Sequence, residues 1–107
     1  MNHKTISPTE LHQRIASGNI IRLIDVREPQ EHEIARIECA QLLPLSRFHE
    51  WSHALNPEEE TVVMCHHGIR SAQVCSVLAR VGFKNLSNLA GGIDRWSAEV
   101  DENVPRY

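Results

Sequence analysis

No basic run interrupts this sequence. Its 11 Lys and Arg residues are scattered through 107 positions and the formal net charge is -3. A phosphate backbone needs a clustered positive face, so a nucleic-acid partner is excluded. Long hydrophobic runs are also missing. Nothing approaches the ~18 apolar residues of a membrane span, so no membrane role is expected. The opening Met-Asn-His-Lys-Thr-Ile-Ser-Pro lacks an apolar stretch of signal-peptide length. Cysteine is scarce and odd in number, at three, which is no framework for a disulfide-stapled domain. Without an export signal, the expectation is a cytoplasmic protein with reduced thiols. Internal repeats and low-complexity segments are absent too.

What is present is ordinary globular composition, 41% hydrophobic and 23% charged. That supports one core, hence a single domain over residues 1–107. The acidic run Glu58-Glu59-Glu60 reads as a solvated turn. Most of the seven His residues read as surface positions.

Strand and helix signals alternate along the chain. Ser7-Pro8-Thr9-Glu10 is a helix start, with Ser7 as cap, Pro8 in the first turn and Glu10 completing a capping box. That helix runs to about Ser17. Ile20 to Val26 is rich in β-branched and apolar residues and predicts a buried strand. A short helix over 30–35 follows, then a brief strand over 40–43. Ser46 predicts the cap of another short helix ending at Leu55. Thr61 to Met64 predicts a strand. After Gly68, Val74, Val77, Leu78 and Val81 fall on one helical face and predict its core stripe. Leu86 to Leu89 predicts a strand, Gly91-Gly92 a turn, and Ile93 to Ala98 a last helix. Such alternation predicts an α/β fold, a parallel sheet flanked by helices on both faces. Ligands then bind beyond the carboxyl ends of the strands, which is where Cys65 falls.

The segment from Cys65 to Ser71, Cys-His-His-Gly-Ile-Arg-Ser, carries most of the chemistry. A strand delivers a thiol, a tight loop turns at Gly68, and a helix begins. Backbone N–H groups of such a loop converge as a nest for an anion, and the helix adds the positive end of its dipole. Arg70 adds a fixed charge able to fork onto anionic oxygens. The thiolate is the nucleophile, and positive surroundings favour it. The same donors would hold a persulfide anion on the same sulfur.

At these residues the sequence resembles the rhodanese family, whose loop runs Cys-x-x-Gly-x-Arg-Ser. Leu23-Ile24-Asp25-Val26-Arg27-Glu28-Pro29 with Glu31 resembles a second family signature. Leu89-Ala90-Gly91-Gly92-Ile93 with Trp96 resembles its closing block. The resemblance implies a rhodanese-like fold and a sulfurtransferase. Sulfane sulfur would pass from thiosulfate or a related small donor to a thiol or cyanide acceptor, or to a sulfur-accepting protein. It implies Cys65 as the carrier, and backbone amides of His66, His67, Gly68, Ile69 and Arg70 around the persulfide, with Arg70 on the donor. Asp25, Arg27 and Ser71 would be structural support. No cofactor is implied.

The chain departs from the family in two places. Ala35-Arg36-Ile37-Glu38-Cys39-Ala40 stands where the family has Gly-His-Ile-Pro-Gly-Ala, which bears on a local turn. His66 stands where many members carry Lys or Arg, so a doubly charged donor is attracted less and a different physiological donor is possible. Three other readings compete. A Cys-dependent phosphatase or arsenate reductase needs Cys-x5-Arg, whereas four residues separate Cys65 from Arg70, which makes a smaller ring. A non-catalytic regulatory module or a partner-specific sulfur carrier is the second. A metal site on Cys65-His66-His67 is the third, and no second ligand pair is spaced to complete it, so no metal is expected. Cys75 is expected to pack as a small apolar residue, Cys39 to be a core or surface thiol, and Trp51 and Trp96 to pack on the sheet.

Overall fold

The computed structural model describes residues 3–107. Five strands form one sheet, all paired in parallel, in the order β1-β5-β4-β2-β3. They are β1 (Lys4–Ile6), β2 (Arg22–Asp25), β3 (Gln41–Leu42), β4 (Thr61–Met64) and β5 (Leu86–Leu89). The helices are α1 (Pro8–Ala16), α2 (Pro29–Ile34), α3 (Phe48–Trp51), α4 (Ile69–Arg80) and α5 (Gly92–Glu99), with single 3-10 turns on either side of α3. Among the described residues, no helix is long and apolar enough to cross a membrane.

Side chains alternate across a strand, and the two central strands use both faces. Leu23, Val62 and Met64 point into one core with Leu11 of α1 and Ile93 and Trp96 of α5. Ile24, Val63 and Cys65 point into the other with Trp51 of α3 and Val74, Cys75 and Leu78 of α4. β4 is buried at every position, as a central parallel strand must be. Its carboxyl end delivers Cys65 to the edge of the sheet between two packed layers.

Ser7 caps α1 by accepting from the Glu10 amide at 3.1 Å. The structure departs from the sequence reading elsewhere. β1 is an edge strand of three residues, too short to carry a periodic signal, and is held by pairing with β5. The strand expected from Ile20 begins only at Arg22, and Ile20 is 91% exposed. Ser46 is no cap. It lies within a 3-10 turn over Leu45–Arg47, and its hydroxyl is 2.5 Å from Glu28 Oε1. On α4, Val74 and Leu78 are buried, whereas Val77 is 40% and Val81 65% exposed. The buried stripe is instead Ser71, Val74, Cys75, Leu78 and Ala79. The acidic run is not merely solvated, because Glu59 pairs with Arg22 and Glu60 with Arg14. Both tryptophans are buried, and Trp51 donates its indole N–H to Pro44 O at 2.8 Å.

Candidate active site

Cys65 follows the last residue of β4 and is 1% exposed. Its Sγ accepts from the amides of Gly68 at 3.1 Å and Ser71 at 3.4 Å, and lies 3.3 Å from Ser71 Oγ. Of the loop amides expected around the sulfur, Gly68 supplies one. The other comes from Ser71, in the first turn of α4. Gly68 has φ +105°, a left-handed conformation that glycine adopts without penalty. There the chain turns from strand to helix within four residues.

Asn88 of β5 organises the floor of the loop. Its side-chain N–H donates to Gly68 O at 3.0 Å, which leaves its Oδ1 as acceptor for the Ser71 hydroxyl at 2.5 Å. Ser71 has one hydroxyl proton, and Asn88 takes it. A protonated Cys65 therefore donates to Ser71 Oγ. A charged sulfur is left with the two amides as its donors. Ser71 thus contacts the sulfur directly, beyond the supporting role read from the sequence.

The start of α5 holds the loop from the other side. The amide of Ile93 donates to Cys65 O at 2.9 Å and that of Asp94 to His66 O at 3.1 Å. Gly92 allows this approach. A Cβ there would stand 2.4 Å from both carbonyl oxygens, and its φ is +60°. That close contact is the physical content of the Gly-Gly block.

Arg70 is not a free charge. Its guanidinium forks onto Glu31 of α2 at 2.6 and 2.9 Å. Glu31 also accepts from Tyr107 OH at 2.8 Å, and Tyr107 OH accepts from Arg27 at 2.9 Å. The Arg70 guanidinium first, and then the Glu28 amide and Tyr107, hold the Glu31 carboxyl down at about 2 against the opposing effect of burial. The same carboxylate raises Arg70 further above its ordinary range.

Asp25 and Arg27 are both wholly buried. Arg27 places Nε and Nη2 on the Asp25 carboxylate, and donates also to Ala35 O at 2.7 Å and Glu31 O at 3.3 Å. A buried charge is tolerated only when paired and fully hydrogen-bonded, and these two are. The pair ties the end of β2 to the end of α2, and through Tyr107 to the Arg70 cluster. It also fixes the unusual segment after α2, where Ala35 and Ile37 are buried and Ala40 N closes a turn onto Ile37 O at 3.0 Å.

His66 lies between two rings, stacked on Tyr107 at 3.9 Å and tilted against His67 at 3.8 Å. Burial first, and then neighbouring His67, lower its pKa, which favours the neutral ring. Ile69 is 73% exposed at the rim of the loop. Cys75 is fully buried, and burial, with Cys65 adding to it, pushes its thiol up to about 12. It is not an accessible resolving thiol. Cys39 is exposed, and all three thiols are free.

Glu31, Asn88, Asp94 and Tyr107 were assigned no role from the sequence. Glu31 belongs to the signature that begins at Leu23 and includes Asp25, which is the one available signal. The other three are brought to the loop only by tertiary structure.

A family model described as the rhodanese-like domain matches residues 7–99. Among curated proteins, the chain is 40% identical over 111 residues to the Rhodanese-like/PpiC domain-containing protein 12, chloroplastic, of Arabidopsis thaliana. The match covers 97% of this chain and 37% of that protein. It is 36% identical to a probable adenylyltransferase/sulfurtransferase MoeZ of Mycobacterium tuberculosis, covering 96% of this chain and 27% of that one. The chain thus spans about a third of the length of these larger relatives. It is 33% identical to the thiosulfate sulfurtransferase GlpE of Coxiella burnetii, covering 92% and 91% of the two chains. Among solved structures, the human single-domain sulfurtransferase TSTD1 superimposes with a TM-score of 0.78 at 26% identity, over 92% of this chain and 98% of that one.

Proposed function

The chain belongs to the rhodanese-like domain family, and from that premise we propose that it moves sulfane sulfur through a persulfide on Cys65. A sulfurtransferase or sulfur-carrier role is the common ground with its relatives. The observation that carries the finer reading is the Sγ of Cys65, held by the amides of Gly68 and Ser71 at the strand-to-helix junction. Two backbone donors aimed at one sulfur stabilise negative charge there without reorganisation.

With thiosulfate as donor, the Cys65 thiolate attacks the outer sulfur. A new S–S bond forms, the donor's own S–S bond breaks, and sulfite leaves with the electron pair. In the second half, an acceptor thiolate or cyanide attacks the terminal sulfur, and the Cys65 thiolate is released. Two nucleophilic displacements replace one harder transfer. No cofactor enters. Arg70 turned onto Glu31 speaks against a phosphoryl cradle, which would need that cation facing the ring. Three free thiols fit a reducing compartment such as the cytoplasm.

The test is intact mass after incubation with thiosulfate. One added sulfur, removed by a reductant, is expected in the parent chain and in Cys39→Ser and Cys75→Ser. None is expected in Cys65→Ser. Loading of Cys65→Ser to the same extent would defeat the assignment.

A second reading has its own support. Cys65 is buried and Arg70 is engaged by Glu31, so a small dianion finds little free charge at the site. That favours delivery by, or to, a partner protein that brings its own donors. Rapid removal of the added sulfur by cyanide, released as thiocyanate, would support free-standing transfer. Loading that resists cyanide but passes to a protein thiol would support the carrier.

A further inference from the structure

The fold gathers donors that lie apart in sequence on the outer side of the Cys65 loop. A ring nitrogen of His66, a ring nitrogen of His67 and a carboxylate oxygen of Asp94 all lie within 4.8 Å of one another. We propose that His66, His67 and Asp94 form a binding site for a divalent transition-metal ion of the zinc class. Two imidazoles and one carboxylate are the donor set of an open zinc site, with a fourth position left for water or an incoming ligand. Imidazole nitrogens favour zinc, nickel and copper over magnesium or calcium.

Three features make the cluster more than a chance surface grouping. First, its backbone is already fixed. The Asp94 amide donates to His66 O and the Ile93 amide to Cys65 O, so the start of α5 and the loop are one rigid unit. Little ordering is left for the ion to impose. Second, the His66 ring is held in place between Tyr107 and His67. Its Nε2 is buried without a hydrogen-bond partner, an unsatisfied state that native folds rarely leave unexplained. Third, the Asp94 carboxylate already gathers positive groups. Arg106 forks onto it at 3.0 Å through Nε and Nη2, and His67 Nε2 lies 3.9 Å away. A carboxylate offers about four lone-pair sites, so Arg106 and a metal ion can share it.

The sequence offers His66 and His67 as metal donors but nothing to complete them, because the third donor comes from a helix 27 residues beyond His67 in the chain. The site does not depend on the sulfur chemistry. Two of its donors follow Cys65 directly, so a bound ion places a dication on the segment that carries the thiol.

The test uses the full chain with Cys39→Ser and Cys65→Ser, which removes exposed and loop thiols as competing ligands. Zn2+ is titrated by calorimetry, and Co2+ is followed by its visible absorption. One equivalent of Zn2+ per chain and the intense d–d bands of low-coordinate cobalt are expected. His67→Ala and Asp94→Asn, at side chains on the surface side of the loop, should each weaken binding at least about tenfold, as loss of a ligand or of its support does. Arg106→Ala removes a competing cation and no ligand, so it should bind as well as the parent or better. Circular dichroism confirms folding of each variant. Absence of binding, affinity unchanged in His67→Ala and Asp94→Asn, or a loss in Arg106→Ala as large as theirs would overturn the site.

Discussion

Replacing Glu31 with Gln keeps the size of the side chain and removes its charge. Arg70 then loses its forked partner and Tyr107 loses a charged acceptor. The cost is worked from the carboxyl's displacement from 4.5 to about 2. At 1.36 kcal/mol per unit, that displacement corresponds to about 3 kcal/mol as an upper bound. Both side chains are partly open, at 21% and 33% exposure. Solvent screening therefore brings the expected loss to about 1–2 kcal/mol near pH 7.

The sign of the pH dependence follows from the direction of the shift. A carboxyl held low in the folded state stabilises the fold fully above its unfolded value, and the contribution fades as pH falls from about 4.5 toward 2. The gap between parent and Glu31→Gln should therefore be widest at pH 7 and should close through that window. Urea unfolding read by Trp51 and Trp96 fluorescence at pH 7, 4 and 3 measures it. A gap that stayed constant from pH 7 to pH 3 would show that the charge on Glu31 is not its source. The same variant leaves Arg70 without its forked carboxylate partner. A lower KM for thiosulfate is then expected, and a raised KM would mean that Glu31 instead holds Arg70 in its working position.

Two further substitutions probe the loop. Gly92→Ala sets a Cβ 2.4 Å from the carbonyl oxygens of Cys65 and His66, at φ +60°. Strain of this kind costs on the order of 1–3 kcal/mol, and the loop must shift to relieve it. Both the urea midpoint and sulfur loading should fall, and unchanged loading would show that the contact does not position Cys65. His66→Lys replaces a ring whose charged form is disfavoured by burial and by His67 with a permanent charge. It should lower the KM for thiosulfate with kcat little changed, and an unaltered KM would mean that this side chain does not face the donor.

The parts of the site legible in the sequence are those built from neighbours in the chain. Cys65, Gly68 and Ser71 lie within one loop-to-helix segment, and six residues of backbone suffice to set two amides on the sulfur. Asp25 and Arg27 stand two apart at a strand end, and their pairing needs no distant element. The α4 stripe was misread for a local reason. Ser71 and Cys75 are buried on the sheet side, but a reading weighted to large apolar residues passes over them and recruits Val77 and Val81 from the flank.

The electrostatic part of the site was not legible, because its partners are far apart in sequence. Arg70 meets Glu31 across 39 residues and Tyr107 meets Glu31 across 76. Seen alone, Arg70 after a cysteine loop reads as a free cation waiting for an anion. Folded, it is half of an ion pair whose other half is held in turn by Tyr107 and, behind that, by the buried Arg27. An anionic donor must then compete with a carboxylate that is already in place and ionised at every physiological pH. The amides of Gly68 and Ser71 have no such competitor and sit directly on the sulfur. On the proposed transfer, charge on the sulfur would be stabilised chiefly by the backbone, and the side-chain cation would govern which donor is admitted. On this division of labour, substitutions at Glu31 and Arg70 should act mainly on KM, and substitutions that move the loop backbone, as at Gly92, should act mainly on kcat.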